Sequence, residues 1–376
     1  MVIGLDASRA FVAKRSGTEN YSYQLLRAMI AAGSTYTFVV YTRGEVAPPK
    51  DFVRKNVRFR EIGWPRLWTQ GGLALASWRD TLDVLFIPAH TLPVLRRPKL
   101  PTVVTIHGLE YEYLPEHYRF PQKIYLTWST RYAVRFATTL IAVSQFTKKE
   151  LVKRLRADEN TISVVHEGVD AEVYSKSYND KEKSIALEAL GVLKPYVLFV
   201  GVVQPRKNLV RLIKAFSQLT GSIPVNLSLV IAGNLGWMYR KILAAPKKYG
   251  VKDRVKFVGF VDEKQLPILM QEAEILVQPS LTEGFGLPVL EAMAAGTPVV
   301  VAKAGALPEV VGRAGILVDP LSVDDLAQGM AKILVSQTLR NHLRERGLSW
   351  CRRFSWKRAA DETLGVLRDA AEKSKQ

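Results

Sequence analysis

Glu283 and Glu291 stand eight residues apart on either side of Gly284-Phe-Gly-Leu-Pro288. Pro288 suits the first turn of a helix, where a missing N–H costs nothing. Gly296 and Pro298 suit its end. Val299 to Ala302 then reads as a buried parallel strand. This arrangement puts Glu283 just ahead of the helix and Glu291 in its first turn. Gly284 and Gly286 let a ligand approach the backbone closely, and the bare N–H groups of the first turn form an anion site. Two carboxylates beside such a site repel the anion, so their expected partners are neutral donors such as hydroxyls. An anion between two sets of hydroxyls describes a sugar nucleotide: diphosphate in the middle, hexose on one side, ribose on the other. Taken alone, a pair of this spacing reads equally as a helix-capping charge and a solvated face.

Two further positions lie where open α/β sheets place ligands, at the C-terminal ends of strands. Arg206 and Lys207 follow the apolar run Tyr196 to Val200 and precede a helix over Leu209 to Leu219. Arg grips two oxygens at once and Lys acts as a point charge, so the pair suits a diphosphate. His107 follows the strand Thr102 to Ile106.

The string Glu283-Gly-Phe-Gly-Leu-Pro-Val-Leu-Glu-Ala-Met-Ala-Ala-Gly-Thr-Pro-Val-Val300 resembles the Glu-x7-Glu signature of retaining glycosyltransferases of family 4. Gly201-Val-Val-Gln-Pro-Arg-Lys-Asn-Leu209 resembles their donor-phosphate motif, and Thr102 to Tyr111 the segment around their active-site histidine. The resemblance implies an α/β chain of the GT-B fold, two Rossmann-like domains facing each other across a cleft. It implies Arg206 and Lys207 on the diphosphate. Glu283, with the backbone at Phe285, Gly286 and Leu287, would hold the hexose, and Glu291 the ribose. His107 would donate to the sugar or shape its pocket. Gly233, in Ala232 to Trp237, is expected to line the base or ribose pocket, and Phe260 falls in a segment resembling the family's base-facing one. Family members carry a Gly-rich loop near the first strand, where this chain offers Ser16-Gly17. The implied reaction is front-face, metal-independent transfer of a hexose, leaning to mannose, from a GDP- or UDP-linked donor to a glycan or lipid-linked acceptor, with no cofactor beyond the donor.

Strands that could position these residues recur along the chain. Val2 to Leu5, Thr37 to Tyr41, Asp83 to Pro88, Thr102 to Ile106, Thr139 to Ser144 and Ile162 to Val165 alternate with helical patterns over residues 1–170. Residues 171–193 are polar and read as a linker with a short helix. Tyr196 to Val200 restarts a parallel sheet, followed by Ser228 to Ala232, Val255 to Val258, Ile275 to Gln278, Val299 to Ala302 and Gly315 to Val318, over 194–356. A last helix, about 357–376, is expected to cross back onto the first domain. The turn His166-Glu-Gly-Val-Asp170 resembles the family's Asn-Gly-Val-Asp, with Glu167 in place of Asn, and reads as structural.

The 376 residues exceed one compact domain. No apolar run approaches the ~18 residues of a membrane span. The opening Met-Val-Ile-Gly-Leu-Asp reads as a strand, not a signal peptide, and the single Cys351 rules out an internal disulfide. A cytoplasmic location is expected. The net charge of +18 splits as +8 over residues 1–180 and +10 over the rest. No nucleic-acid-binding motif accompanies it, so anionic donors and an anionic membrane face are the expected partners. Trp64 to Trp68, beside Arg54, Lys55, Arg58 and Arg60, reads either as an interfacial segment or as core packing. Two rival functions share these motifs: a sugar-nucleotide epimerase or hydrolase on the same fold, and a non-catalytic nucleotide- or membrane-binding relative.

Overall fold

The computed structural model describes the chain apart from residues 13, 14, 16, 45, 46, 65, 114–119, 220–225 and 374–376, and apart from the side chains at 113 and 120–122. It divides into two compact units, one formed by described residues within 1–168 together with 356–373, the other by 169–355.

The first unit is a seven-stranded parallel sheet. Its strands are β1 (Val2–Asp6), β2 (Thr37–Arg43), β3 (Val57–Ile62), β4 (Val84–Ile87), β5 (Thr102–Ile106), β6 (Thr139–Ala142) and β7 (Ile162–Val164), in the order β3-β2-β1-β4-β5-β6-β7. β4, β5 and β6 are buried at every residue, which explains why they are unbroken apolar runs with no polar alternation. The strand β3 is a correction. The basic segment around Arg58 and Arg60 is an edge strand, its charges facing solvent and guarding the edge against further pairing. The last helix, Trp356–Lys373, packs on the helix Gly17–Ala32 and on β4 and β5 within this unit.

The second unit carries six parallel strands: β8 (Tyr196–Val200), β9 (Ser228–Ala232), β10 (Val255–Gly259), β11 (Ile275–Gln278), β12 (Val299–Ala302) and β13 (Ile316–Val318). Their order is β10-β9-β8-β11-β12-β13. The helix Leu209–Leu219 buries Leu212, Ile213 and Phe216 against Phe199 and Ile231. Residues 171–193 fall within this unit. They form the helices Ala171–Ser175 and Asp180–Leu190, which pack on the helices Leu266–Gln271 and Leu287–Ala294 of this unit. The second is closed by a reciprocal Asn179–Glu182 capping box.

Both sheets have a neighbouring strand pair whose crossovers leave in opposite directions: β1 beside β4, and β8 beside β11. Such switch points open a crevice at the carboxyl ends of the strands. In the second unit the crevice floor depends on a close backbone approach. Gly233 has φ +144°, and a Cβ there would lie 2.0 Å from the Gly201 carbonyl oxygen. Gly233→Ala is therefore expected to cost roughly 2–4 kcal/mol of stability, from strain and backbone collision together. Chemical denaturation checks this, and an unchanged midpoint contradicts it.

Candidate active site

At the β8/β11 switch point the chain buries one carboxylate between two cations. Pro205–Lys207 forms a single 3-10 turn after β8, closed by Asn208 in the left-handed region at φ 60°. That turn aims Arg206 and Lys207 at the loop after β11. Arg206 Nη1 donates to Glu283 Oε2 at 2.8 Å and to the Thr282 carbonyl at 2.7 Å. The Lys207 ammonium donates to Glu283 Oε1. Ser280 Oγ donates to the same oxygen at 2.6 Å and Gln278 Nε2 at 3.1 Å. Burial alone opposes ionisation of Glu283. The Arg206 and Lys207 charges and the hydrogen bonds from Lys207 and Ser280 outweigh it, holding the carboxyl well below the usual range.

This geometry corrects the expectation of purely neutral partners for Glu283: two of its four donors are cations. A carboxylate offers about four lone-pair sites, two on each oxygen. Oε1 is crowded by three donors, whereas Oε2 has accepted one and keeps room for another.

The loops are pinned to one another by their backbones. Asn208 Nδ2 donates to the Pro279 carbonyl at 3.0 Å and the Pro320 carbonyl at 2.7 Å, joining the ends of β8, β11 and β13. The Leu281 N–H donates to the Arg206 carbonyl at 3.0 Å. Gly305, at φ +61°, brings its backbone so close to Glu283 that a Cβ would sit 2.5 Å from it.

The helix Leu287–Ala294 starts at Gly286, φ +124°, with no side-chain cap. A Cβ at Gly286 would meet Leu307 at 2.8 Å. Phe285 and Leu287 are buried beside it. Glu291 is the fifth residue of this helix and so lies in its second turn, not its first. It is buried, and the Tyr174 hydroxyl hydrogen-bonds to it. Burial, with the Glu291 charge adding to it, pushes that hydroxyl's pKa well up, so it stays a donor. Gly233 contributes its close approach to Gly201 and donates its N–H to the Gly259 carbonyl at 2.7 Å. Phe260 is exposed after β10.

His107 and Gly17 belong to the first unit. Gly17 opens the helix Gly17–Ala32 with open space where a Cβ would stand; Ser16 lies outside the described residues. His107 Nε2 donates to the Pro88 carbonyl at 2.8 Å, and Nδ1 lies 3.2 Å from Glu167 Oε1. The Tyr21 ring packs edge-on at 4.6 Å. Both ring nitrogens face oxygens, one of a backbone carbonyl and one of a carboxylate. Glu167 is therefore the partner of His107, a role its place in a turn motif did not reveal. His90 lies next to His107. Burial, then the neighbouring His107 and Arg9 charges, lower its pKa to about 3, and its Nε2 accepts the His107 N–H at 3.4 Å. Asp6, at the end of β1, is buried as well. Burial raises its pKa, opposed by hydrogen bonds from Ser8 and the charge of Arg9.

Comparison with known proteins gives two family models that together cover most of the chain: Glycosyltransferase Family 4 over residues 15–173 and Glycosyl transferases group 1 over 180–350. The chain is 28% identical over 273 residues to the O-antigen chain mannosyltransferase B of Escherichia coli, spanning 71% of this chain and 70% of that protein. Among solved structures it resembles the sucrose-phosphate synthase of Thermosynechococcus elongatus (TM-score 0.78, 21% identity, 98% of each chain). It also resembles Anabaena Alr3699/HepE in complex with UDP and glucose (TM-score 0.73, 20% identity, 98% of this chain and 100% of that one). These likenesses identify the fold as that of GT-B glycosyltransferases.

The Glu283 shift has a testable sign. Its folded pKa lies below the unfolded one, so the stabilisation is complete above the unfolded value and drains away as pH falls through the folded one. The stability gap between the natural protein and Glu283→Gln is expected to shrink between about pH 7 and about pH 3. Thermal denaturation across that range checks it, and a constant gap contradicts it.

Proposed function

The chain belongs to glycosyltransferase family 4 and is a glycosyltransferase, and we propose that it moves a hexose from a nucleotide diphosphate sugar to a hydroxyl of a glycan or lipid-linked acceptor. The proposal includes retention of anomeric configuration, no metal ion, and a cytoplasmic site of action. Mannose is the proposed sugar, on the strength of the mannosyltransferase relative. The nucleotide is GDP or UDP, the latter suggested by the UDP-bound neighbour.

The observation that carries this reading is the Arg206–Glu283–Lys207 cluster at the β8/β11 switch point. Two cations and one carboxylate leave one net positive charge in a fixed, buried frame. As the bond between the anomeric carbon and the phosphate oxygen breaks, the electron pair goes to that oxygen and charge builds on the diphosphate. Donors already held in place stabilise that charge without reorganising. The acceptor oxygen bonds to the anomeric carbon on the same face, and its proton passes to the departing phosphate oxygen. Glu283 serves first as the group that fixes both cations, and its open Oε2 site suits a hexose hydroxyl. Glu291, steadied by Tyr174, suits the ribose hydroxyls. The epimerase or hydrolase alternative would consume donor without needing an acceptor.

Labelled-sugar transfer from GDP-mannose and UDP-glucose, with product analysis by NMR, tests this. Arg206→Ala is expected to lower kcat/KM by roughly 10²–10³-fold, and a chelator to leave transfer unchanged. Glu291→Gln is expected to raise the donor KM on the order of tenfold with a smaller change in kcat. Full activity in Arg206→Ala, loss of transfer on chelation, or donor turnover without an acceptor contradicts the proposal.

A further inference from the structure

In the first unit a ladder of aromatic rings runs along the helix Phe120–Phe136 and ends at a basic cavity. Trp128 stacks on Tyr132 with ring centroids 5.6 Å apart, and Tyr132 packs tilted against Phe136 at 4.6 Å. Trp128 and Phe136 are each 48% exposed. The helix buries Ser129, Thr130 and Ala133 instead, small and partly polar residues. It therefore turns its large apolar side chains to solvent, the reverse of a helix seated on a core. The loop after β4 extends the same surface: Leu95 is 75% exposed, and Trp78, 56% exposed, donates its indole N–H to the Leu95 carbonyl at 2.9 Å.

Arg96 joins this surface to the cavity. Its guanidinium donates to the Tyr132 hydroxyl at 3.4 Å and to the Phe136 carbonyl at 2.7 Å. The cavity beyond it holds about 430 Å³ and is lined by Arg96, Arg97, Lys99 and Lys373, with Thr138. Arg97 is braced by the Asp80 and Leu82 carbonyls. Neutral carbonyls fix both guanidiniums in place without cancelling their charge. Lys123 and the exposed Arg135 add cations along the helix, while Arg131 is paired with Glu112 at 3.6 Å; Arg135 lies 5.7 Å from the Phe136 ring centroid.

The segment Trp64 to Trp68 is divided: Trp68 is 6% exposed in the π-helical stretch Trp68–Leu73, whereas Trp64 is half-exposed and rests one side of its ring on Gly71, where a Cβ would meet it at 2.2 Å. Among the described residues no helix is long and apolar enough to cross a membrane.

We infer that the aromatic ladder and the basic cavity together dock this unit onto a bilayer rich in anionic phospholipid, the rings entering the headgroup–acyl boundary and the cavity receiving a lipid phosphate. Exposed Trp, Tyr and Phe favour the interfacial zone, where a flat amphipathic ring meets both water and acyl chains. Cations near the surface add about 1 kcal/mol each through the surface potential. Charge complementarity selects the occupant: four cations lining one cavity beside an apolar ridge match lipid phosphates above acyl chains. The inference concerns where the protein sits and does not depend on which sugar it moves.

Co-sedimentation of the full chain with phosphatidylcholine vesicles, with and without phosphatidylglycerol, tests it without measuring transfer. Binding to the anionic vesicles is expected, falling about tenfold or more in Trp128→Ser/Phe136→Ser and in Lys99→Glu/Lys373→Glu. All four positions lie on the surface or at the cavity rim, and circular dichroism confirms that each variant folds. No binding to anionic vesicles, or unchanged binding in either folded variant, overturns the inference. Calorimetric binding of inorganic phosphate without any binding to anionic vesicles assigns the cavity to a soluble anion. Each of these failures leaves the glycosyl-transfer reading standing.

Discussion

One buried carboxylate held between two cations organises the second unit. Taking three charges out of water is costly, and their mutual attraction offsets that cost when the geometry is exact and the remaining lone pairs are filled. The loops after β8 and β11 meet those terms through Ser280, Gln278 and the Thr282 carbonyl. Removing Glu283 alone leaves Arg206 and Lys207 buried with like charges side by side, a change that typically costs roughly 3–5 kcal/mol. The cluster therefore shapes the fold as well as the chemistry. A loss of activity on truncating Glu283 mixes the two effects, whereas Gln keeps the shape and removes the charge.

The first unit solves a related problem with the same strand order. Its C-terminal strand ends gather Asp6, His90, His107 and Glu167. Here a histidine rather than a lysine meets the carboxylate. His107 is held on both sides by oxygens, while His90 is buried neutral next to it. Protonating His90 is unfavourable in the fold, so this unit loses stability as pH falls below the ordinary histidine range. In both units an α/β sheet concentrates polar groups at its carboxyl edge, where the crossovers diverge and the backbone leaves room.

Much of this was legible in the sequence. Fully buried parallel strands are continuous apolar runs, so β4, β5, β11 and β12 announce themselves, and the glycines flanking Phe285 mark a strained entry into a helix. Arg206, Lys207, Glu283 and Glu291 stand out because each sits in a long string that resembles a family motif, Gly201 to Leu209 and Glu283 to Val300, and not because of their charges alone. The partnerships were not legible. Glu283 pairs with residues 76 and 77 positions earlier, a separation with no periodicity to betray it. Glu167 lies 60 residues from His107, hidden in a turn whose local pattern explains it well enough. The edge strand β3 was masked by its own charges, because an edge protected by Arg58 and Arg60 looks like a polar segment. Trp68 and Trp128 could not be told apart by residue type; burial separates them.

The most direct test of the account is calorimetric titration of guanosine, GMP, GDP and UDP into the natural protein and into Lys207→Ala. If the cluster at the β8/β11 switch point is the diphosphate site, GDP or UDP binds well above the nucleoside and monophosphate, and most of that difference disappears in the variant. Equal affinity for guanosine and GDP, or the same difference in both proteins, would mean that the two cations serve only to bury Glu283.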